Sequence, residues 1–262
     1  MPVRILAAHP GLIDGAPTPA VSRMVDGRPD TEAMFGSELA FSPEVVLAMW
    51  AAGVAGSGAA VAYWRIVGPG FLWLTVATVV LVGGGAWYFD QGVLAAVAML
   101  VGAGAALVAR NRWAATIALG SSSLLFLVGA SVVGLPLPAI TGTAALGGIT
   151  GEMLLGHWFL VSPRMPRWPL RALAVIGGAA ILLDWLVHVV PGVPPAASTG
   201  PLIASVALAA TSVLLMAAVW FALGYPSYPG VMAATGLSYL AVLTSLGSVI
   251  LVRALAAGVP PL

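Results

Sequence analysis

The sequence predicts an all-α, polytopic transmembrane helix bundle of about eight spans, arranged as four hairpins with both termini on the outer side. Hydrophobic residues make up 60% of the 262 residues and charged residues only 7%, whereas a soluble domain has about 25% charged residues. The apolar residues fall into segments of roughly 20, the length that a helix needs to cross about 30 Å of hydrocarbon. When these segments alternate in direction, most of the arginines between them collect on one side. Together the three observations predict a multi-pass membrane protein.

Eight segments are long and apolar enough to count as spans. We place them at about 44–66, 70–89, 91–110, 113–134, 141–162, 169–190, 200–223 and 230–254. Only the stretch from Arg110 to Arg112 divides the third span from the fourth. Two arginines this close together are costly in the middle of a bilayer and tolerated at its interface, so we expect the chain to turn there.

Proline marks the expected start of three helices. Ser42, Pro43 and Glu44 supply an N-cap, a first-turn proline and an acid near the positive end of the helix dipole. Pro169 and Pro201 are expected at the first helical positions of the sixth and seventh spans. These prolines therefore predict where the first, sixth and seventh spans begin.

The arginines also predict the orientation of the chain. The loops of one side contain no acidic residue. Six arginines lie in these loops or at the adjoining helix ends: Arg65, Arg110, Arg112, Arg164, Arg167 and Arg171. The other side receives Asp90, Arg253 and the N-terminal tail. By the positive-inside rule we expect the arginine-rich loops in the cytoplasm and the protein in a cell membrane, specifically a bacterial inner membrane.

The chain divides into a tail and a bundle. Residues 1–42 are rich in proline, glycine and alanine and lack the periodic apolar residues of a hydrophobic core. We predict a polar, flexible tail on the outer side, followed by a transmembrane bundle over residues 43–262. As an alternative, residues 30–41 dock against the bundle or a neighbouring subunit.

Two residue types are missing, and their absence excludes several chemistries. The chain has no cysteine, and all ten of its basic residues are arginine. This excludes a Schiff-base lysine, a disulfide, a thiolate-held iron–sulfur cluster and a cysteine-attached haem or lipid. The sequence also shows no phosphate-binding loop, zinc-protease motif or nucleophile elbow at a credible position. We therefore do not expect enzyme chemistry of the soluble kind.

No metal site or cofactor is predicted, and a quinone or a haem remains the alternative cofactor. The histidines are His9 in the tail, His157 and His188. At the helical rise, His157 and His188 differ in depth by roughly 20 Å, too far for both to bind one haem iron.

Glu152 and His157 are the first candidates for function, because burying an ionisable group in a bilayer is expensive. Glu152 is expected near the midplane, where it needs a hydrogen-bonding partner or a proton. Hydroxyl groups that are candidate partners occur on three spans: Ser121, Ser122 and Ser123, then Thr150, then Thr235, Ser238, Tyr239 and Ser245. We take Glu152, His157, Thr235, Ser238 and Tyr239 as a candidate buried polar site. The alternative is that these groups only join helices through hydrogen bonds.

Asp184 and His188 form a second candidate, on the outer side. Their i, i+4 spacing places both on one face of the sixth span. This spacing suits an imidazole oriented by a carboxylate, half of a metal site or a step in a proton relay. The alternative is an interfacial pair beside Trp185 that water and lipid headgroups satisfy.

Arg164, Arg167 and Arg171 surround the cytoplasmic turn between the fifth and sixth spans. Such a cluster can contact anionic lipid headgroups or an acidic partner. The alternative is that these arginines only fix the topology.

Three functions are compatible with these features. The leading hypothesis is a non-catalytic accessory or anchoring subunit of a larger membrane complex, since runs of small residues let helices approach closely. Its partners would be the lipid bilayer and other membrane subunits or further copies of the chain, and no nucleic acid. One alternative is a small proton-coupled carrier that uses Glu152. The other is a redox membrane subunit in which Glu152 and His157 bind a quinone.

Overall fold

The computed structural model describes residues 42–90, 92–133, 135–190 and 199–258. These residues form eight α-helices and contain no β-strand. The helices are α1 (Pro43–Trp64), α2 (Pro69–Asp90), α3 (Val93–Leu107), α4 (Arg112–Val133), α5 (Pro136–Val161), α6 (Trp168–Val189), α7 (Thr199–Ala222) and α8 (Tyr228–Ala256). The predicted polytopic helix bundle is thereby confirmed. Apart from Ser42, the predicted tail of residues 1–42 lies outside the described residues.

Seven of the eight helices are long and apolar enough to cross a membrane, and α3 is the exception. It has 15 residues and a length of about 22 Å, less than the roughly 30 Å of the hydrocarbon layer. The expected third span over residues 91–110 is thus too long. The chain leaves α3 at Leu107 and turns, and Asn111 then caps α4 by accepting the Ala114 N–H at 3.3 Å. The turn falls where the arginine pair predicted it.

Proline sets the start of α5, which begins at Pro136 and not at about residue 141 as expected. Leu135 is in extended conformation and precedes a proline in the first helical turn, where the missing N–H costs no hydrogen bond. The expected boundary was wrong because Pro136, unlike Pro43, Pro169 and Pro201, was not considered as a first-turn proline. Elsewhere, α1 begins at Pro43 as predicted, although the Ser42 side chain makes no capping hydrogen bond.

The predicted first-position prolines of the sixth and seventh spans lie slightly further along their helices. Helix α6 begins at Trp168, which puts Pro169 at its second residue. Helix α7 begins at Thr199, which puts Pro201 at its third. Both prolines remain in the first turn, where their missing N–H groups would have no intrahelical partner.

The eight helices pack as two groups of four. In the first half (α1–α4), each helix packs on the next and α4 returns to α1. The second half (α5–α8) repeats this arrangement, with α8 returning to α5. The halves meet mainly through α1 and α5, which are therefore the central helices of the bundle.

Glycines allow the central helices to touch through their backbones. A Cβ atom added to Gly53 of α1 would lie 2.6 Å from the Cα of Gly147 of α5. A Cβ added to Gly148 would lie equally close, 2.6 Å, to the backbone nitrogen of Gly177 in α6. Any larger residue at these positions would push the helices apart, as expected of small residues at membrane helix contacts.

One end of the bundle, here named the arginine-rich end, contains the turns at 65–68, 108–111, 162–167 and 223–227. Arg65 ends α1 in the left-handed conformation with φ 58°. Its guanidinium lies 5.0 Å from the Trp113 ring centroid, and its carbonyl oxygen accepts a hydrogen bond from Arg112 at 3.4 Å. The first two turns are thus tied together. The other end, named the opposite end, contains the starts of α1, α5 and α7 and the last turns of α6 and α8.

Candidate functional site

Glu152 lies on α5 with its side chain fully buried against α8. Its Oε2 atom is hydrogen-bonded to the Ser238 hydroxyl group. Its Oε1 atom has no hydrogen-bond partner among the described residues. A Cβ added to Gly156 would lie 2.7 Å from Thr235 Oγ1 and 3.7 Å from Glu152 Oε1. Gly156 therefore lets Thr235 approach, and the structure brings Glu152, Thr235 and Ser238 together.

The Ser238 hydroxyl group determines which form of Glu152 the site accommodates. Ser238 Oγ also lies 2.8 Å from the carbonyl oxygen of Ala234, one turn earlier on α8. A hydroxyl group has one proton, and a carbonyl oxygen can only accept. If Ser238 donates to Ala234, the carboxyl group must itself donate to Ser238. The neutral acid therefore satisfies both hydrogen bonds at once, while a carboxylate competes with Ala234 for the single proton.

His157 and Tyr239 lie on the outside of the same helix pair. Tyr239 is 47% exposed, His157 is exposed, and the Tyr239 hydroxyl lies 3.3 Å from His157 Nδ1. On α8, Ser238 turns towards Glu152 while the next residue, Tyr239, turns towards His157. The predicted site thus separates into a buried group around Glu152 and a surface pair, which do not face one ligand.

The second site centres on a buried ion pair between Asp184 of α6 and Arg253 of α8. The two carboxylate oxygens accept hydrogen bonds from Arg253 Nη1 at 2.8 Å and Nη2 at 2.9 Å. The Arg253 and Asp184 side chains are only 4% and 2% exposed. Thr141 of α5 donates to the same carboxylate at 2.6 Å, and Arg253 Nη2 donates to the Pro138 carbonyl at 2.7 Å. The ion pair therefore joins three helices of the second half.

His188 contacts the backbone of Asp184, not its carboxylate. Its Nδ1 atom lies 2.7 Å from the Asp184 carbonyl oxygen, so Nδ1 is the donor of that bond. The Asp184 carboxylate is instead occupied by Arg253 and Thr141. The structure thus brings the predicted pair together by a backbone contact, not by the expected carboxylate–imidazole contact.

Arg253 is the residue that sequence reasoning missed, since it was counted only among the charges of the outer side. Its position could have indicated a buried partner, because an arginine at the outer end of the last span opposes the positive-inside rule. An intramembrane Asp184 also needed a cation. Neither observation identifies the partner, because α6 and α8 are not consecutive in the chain.

Other hydroxyl groups expected near Glu152 make different contacts. Thr150 accepts a hydrogen bond from Trp50 Nε1 at 2.9 Å, which joins α5 to α1. Ser122 donates to the Ala98 carbonyl at 2.7 Å, and Ser123 donates to the Ala52 carbonyl at 2.8 Å. These groups join helices and lie apart from the Glu152 site.

The three arginines around the α5–α6 turn are placed differently from one another. Arg167 donates to the carbonyl oxygens of Tyr225 and Pro226, the latter at 2.8 Å, and so ties this turn to the α7–α8 turn. The Arg171 guanidinium lies 5.0 Å from the Trp220 ring centroid. Arg164 is exposed. Of the three, Arg164 is therefore the most accessible to a headgroup or partner.

The described residues contain no group of three or more histidine, cysteine, aspartate or glutamate side chains arranged to hold a metal ion. His157 lies towards the arginine-rich end of α5, and His188 lies in the last turn of α6 at the opposite end. Their placement at different ends agrees with the depths expected from the sequence. No family model, curated protein or solved structure matches the chain significantly.

Proposed function

We propose that this multi-span membrane protein is a proton-coupled carrier in which Glu152 binds the coupling proton. The main support is the fully buried carboxyl group of Glu152, which has a hydroxyl partner on one oxygen and none among the described residues on the other. An unpaired carboxylate is strongly destabilised in an apolar interior. The group is therefore held as an acid and releases its proton only when water or a solute reaches it.

A line of buried polar residues connects Glu152 with the ion pair, and we name it the α5–α8 polar seam: Thr141, Glu152, Ser238, Ser245 and Arg253. All five are buried. Thr141 and Glu152 are about three turns, or about 16 Å, apart on one face of α5. Ser245 stands between Ser238 and Arg253 on α8. The seam has a carboxyl group near each end, since Thr141 and Arg253 both bind Asp184. Along each helix its members are two or three turns apart, so proton movement along it would require water between them.

The geometry gives less support to the other hypotheses. Anchoring to a complex does not require buried ionisable side chains, which are expensive in a membrane. A quinone held by both Glu152 and His157 would need the two side chains on one surface, whereas one is buried and the other exposed. The buried carboxyl group therefore favours the carrier.

Infrared spectroscopy of the purified protein tests the protonated state directly. We expect a carboxylic-acid C=O stretching band at neutral pH that disappears in Glu152→Gln, because the amide keeps the shape but has no acid proton. Glu44→Gln, at the partly exposed start of α1, is the matched control and should keep the band. A band that survives Glu152→Gln would contradict the proposal.

Transport in proteoliposomes tests the coupling. Solute-driven proton movement, followed with an internal pH-sensitive dye, should be lost in Glu152→Gln and retained in Glu44→Gln. Equal proton movement by wild type and Glu152→Gln would remove Glu152 from the mechanism.

The exposed His157–Tyr239 pair favours a second candidate function, that of a membrane subunit in a larger complex. Two polar side chains on a lipid-facing surface are costly unless a partner helix covers them. Native mass spectrometry after purification in mild detergent should then show a partner, and His157→Phe with Tyr239→Phe should weaken its retention. A lone, monodisperse monomer would count against this function.

A further inference from the structure

A cleft at the opposite end of the bundle, here named the Arg253 cleft, lies beside the ion pair. Its volume is about 170 Å³. Helices from both halves line it, with apolar walls from Val45, Met49, Ala130 and Ala139, and with His188 and Arg253 as its polar side chains. A cavity of about 150 Å³ accommodates one benzene molecule. The cleft therefore has room for a ligand of about one six-membered ring with a small substituent.

Arg253 is poorly suited to bind an anion in this cleft. Its Nη1 atom contacts Asp184 Oδ2 and the Val249 carbonyl, at 2.8 and 3.1 Å. Its Nη2 atom contacts the Pro138 carbonyl and Asp184 Oδ1, at 2.7 and 2.9 Å. These four acceptors, with the Met49 sulfur 3.6 Å from Nη2, occupy the Nη hydrogens and leave only the Nε hydrogen for a ligand, while the Asp184 carboxylate compensates the charge. The cleft consequently favours an uncharged ligand.

His188 supplies the cleft with a hydrogen-bond acceptor. Because Nδ1 donates to the Asp184 carbonyl oxygen, the neutral ring carries its lone pair on Nε2. A backbone carbonyl that fixes the tautomer in this way is a common means of orienting a functional histidine. A hydroxyl donor on an otherwise apolar ligand is the group that this nitrogen would bind.

We propose that the Arg253 cleft is the substrate site of the carrier and that the substrate is a small, uncharged, mainly apolar molecule with one hydroxyl donor, of the class of simple phenols. The assignment as a transported substrate rests on the proposed carrier function, whereas binding in the cleft does not. The α5–α8 polar seam lies between this site and Glu152, and coupling of cleft occupation to protonation of Glu152 would require water along the seam.

Ligand binding to the full chain in nanodiscs tests the inference, with fluorine NMR as the readout. The probes are 4-fluorophenol, 4-fluoroanisole, which lacks the donor, and 4-fluorobenzoate, which is charged. Protein-free nanodiscs correct for partition into lipid. We expect saturable binding of the phenol, about tenfold tighter than that of the anisole because one hydrogen bond is lost, and no saturable binding of the benzoate.

Two variants locate the site. His188→Phe keeps a ring but removes the acceptor, and should bind the phenol no more tightly than the anisole. Ala256→Trp, at an exposed position on the rim of the cleft, should weaken both ligands. Equal binding of phenol and anisole by wild type, preference for the benzoate, or binding that Ala256→Trp leaves unchanged would each overturn the proposal.

Glu152→Gln separates this inference from the proposed function. Because the amide resembles the neutral acid, this variant should still bind the phenol saturably, but it should fail to couple phenol uptake to protons. Binding without Glu152-dependent proton movement would defeat the carrier and retain the cleft site. Glu152-dependent proton movement without phenol binding would defeat only the assignment of the cleft.

Discussion

The two halves of the bundle share one packing arrangement but differ in what they bury. In each half four helices pack in sequence and the fourth returns to the first. Among the described residues, the buried polar side chains of the first half are Thr75 and Ser122. The second half buries Glu152, Asp184 and Arg253 in addition to several hydroxyl groups. Because the described side chains of the first half include no buried charge, this packing arrangement does not by itself require the ionisable residues of the second half.

Matching positions on the two central helices show the same contrast. The stretch from Gly53 to Pro69 and the stretch from Gly147 to Pro163 have glycine, tryptophan and proline at the same spacing. In this alignment Gly58 occupies the place of Glu152. A Cβ added to Gly58 would meet the side chains of Thr75 and Leu119. At this position the second half has a carboxyl group. In the first half the same place is filled by the side chains of Thr75 and Leu119.

The largest effect is expected from labelling single cysteines, because the natural chain has none. Because the turns of both halves lie at the arginine-rich end, Gly68→Cys and Arg164→Cys should react with a membrane-impermeant maleimide from the same side only. Gly200→Cys at the start of α7 should react only from the other side. Gly68 and Gly200 both have open space for a side chain. Inside-out and right-side-out vesicles give the measurement, and the positive-inside rule predicts that the first two sites are cytoplasmic. Reaction of Gly68→Cys and Arg164→Cys from different sides would refute this placement of the turns.

Removing one partner of the ion pair should give the next largest effect. Arg253→Met leaves the Asp184 carboxylate buried without its cation and should lower the free energy of unfolding by about 3–5 kcal/mol. The double variant Asp184→Asn with Arg253→Met should recover part of this loss. In the first half, Ser122→Ala removes one hydrogen bond to a backbone carbonyl and should cost about 0.5–1.5 kcal/mol. Denaturant titration in detergent measures all three, and an Arg253→Met protein as stable as wild type would contradict the buried pair.

The contact between the halves should tolerate no added methyl group. Gly53→Ala places a Cβ against the backbone of Gly147 and should destabilise the protein by about 1–3 kcal/mol. Gly104→Ala is the control, because nothing lies within 4 Å of its added Cβ, and it should be neutral or slightly stabilising. The measurement is the melting temperature of each variant. Equal melting temperatures would show that α1 and α5 can move apart to accept the added methyl group without loss of stability.

The smallest effect concerns two serines of α8. Ser238→Ala removes the hydrogen bond to Glu152 from the other helix and should cost about 1–2 kcal/mol. Ser245→Ala removes only a bond to the Val242 carbonyl, 3.0 Å away on its own helix, and should cost less. The difference between the unfolding free energies of the two variants measures the hydrogen bond between Ser238 and Glu152. A larger loss of stability in Ser245→Ala would show that this hydrogen bond does not stabilise the contact between α5 and α8.

Features of the fold that depend on local sequence were predictable. Apolar segments identified the helices, Pro43 began α1, and the arginine pair marked the turn before α4. The short α3 and the early start of α5 were not predictable in this way, since hydropathy does not distinguish an apolar turn from an apolar helix end. Pro136 shows the difficulty, because proline both stops and starts helices.

The candidate site was predictable only one residue at a time. The cost of burying a charge identified Glu152 and Asp184, and α8 was among the helices expected to carry partners for Glu152. Periodicity indicates which residues share a helix face, but it does not show which helices meet. Arg253 was therefore missed. The five-residue spacing of Glu152 and His157, about 140° around a helix, did indicate that these two side chains face different directions.

The glycine contact between α1 and α5 has a mechanical consequence. Gly53 and Gly147 meet through backbone atoms, so no side-chain rotamers interlock at this point. A cleft of about 220 Å³ borders the contact and is lined by Gly53, Gly56, Ser57, Gly147 and Gly148 among others. A pivot of one half on the other at this contact would have to break the hydrogen bond between Trp50 and Thr150, while the salt bridge and the hydrogen bond to Glu152, both internal to the second half, would stay intact. Such a pivot would widen and narrow the Arg253 cleft, which is lined by helices of both halves.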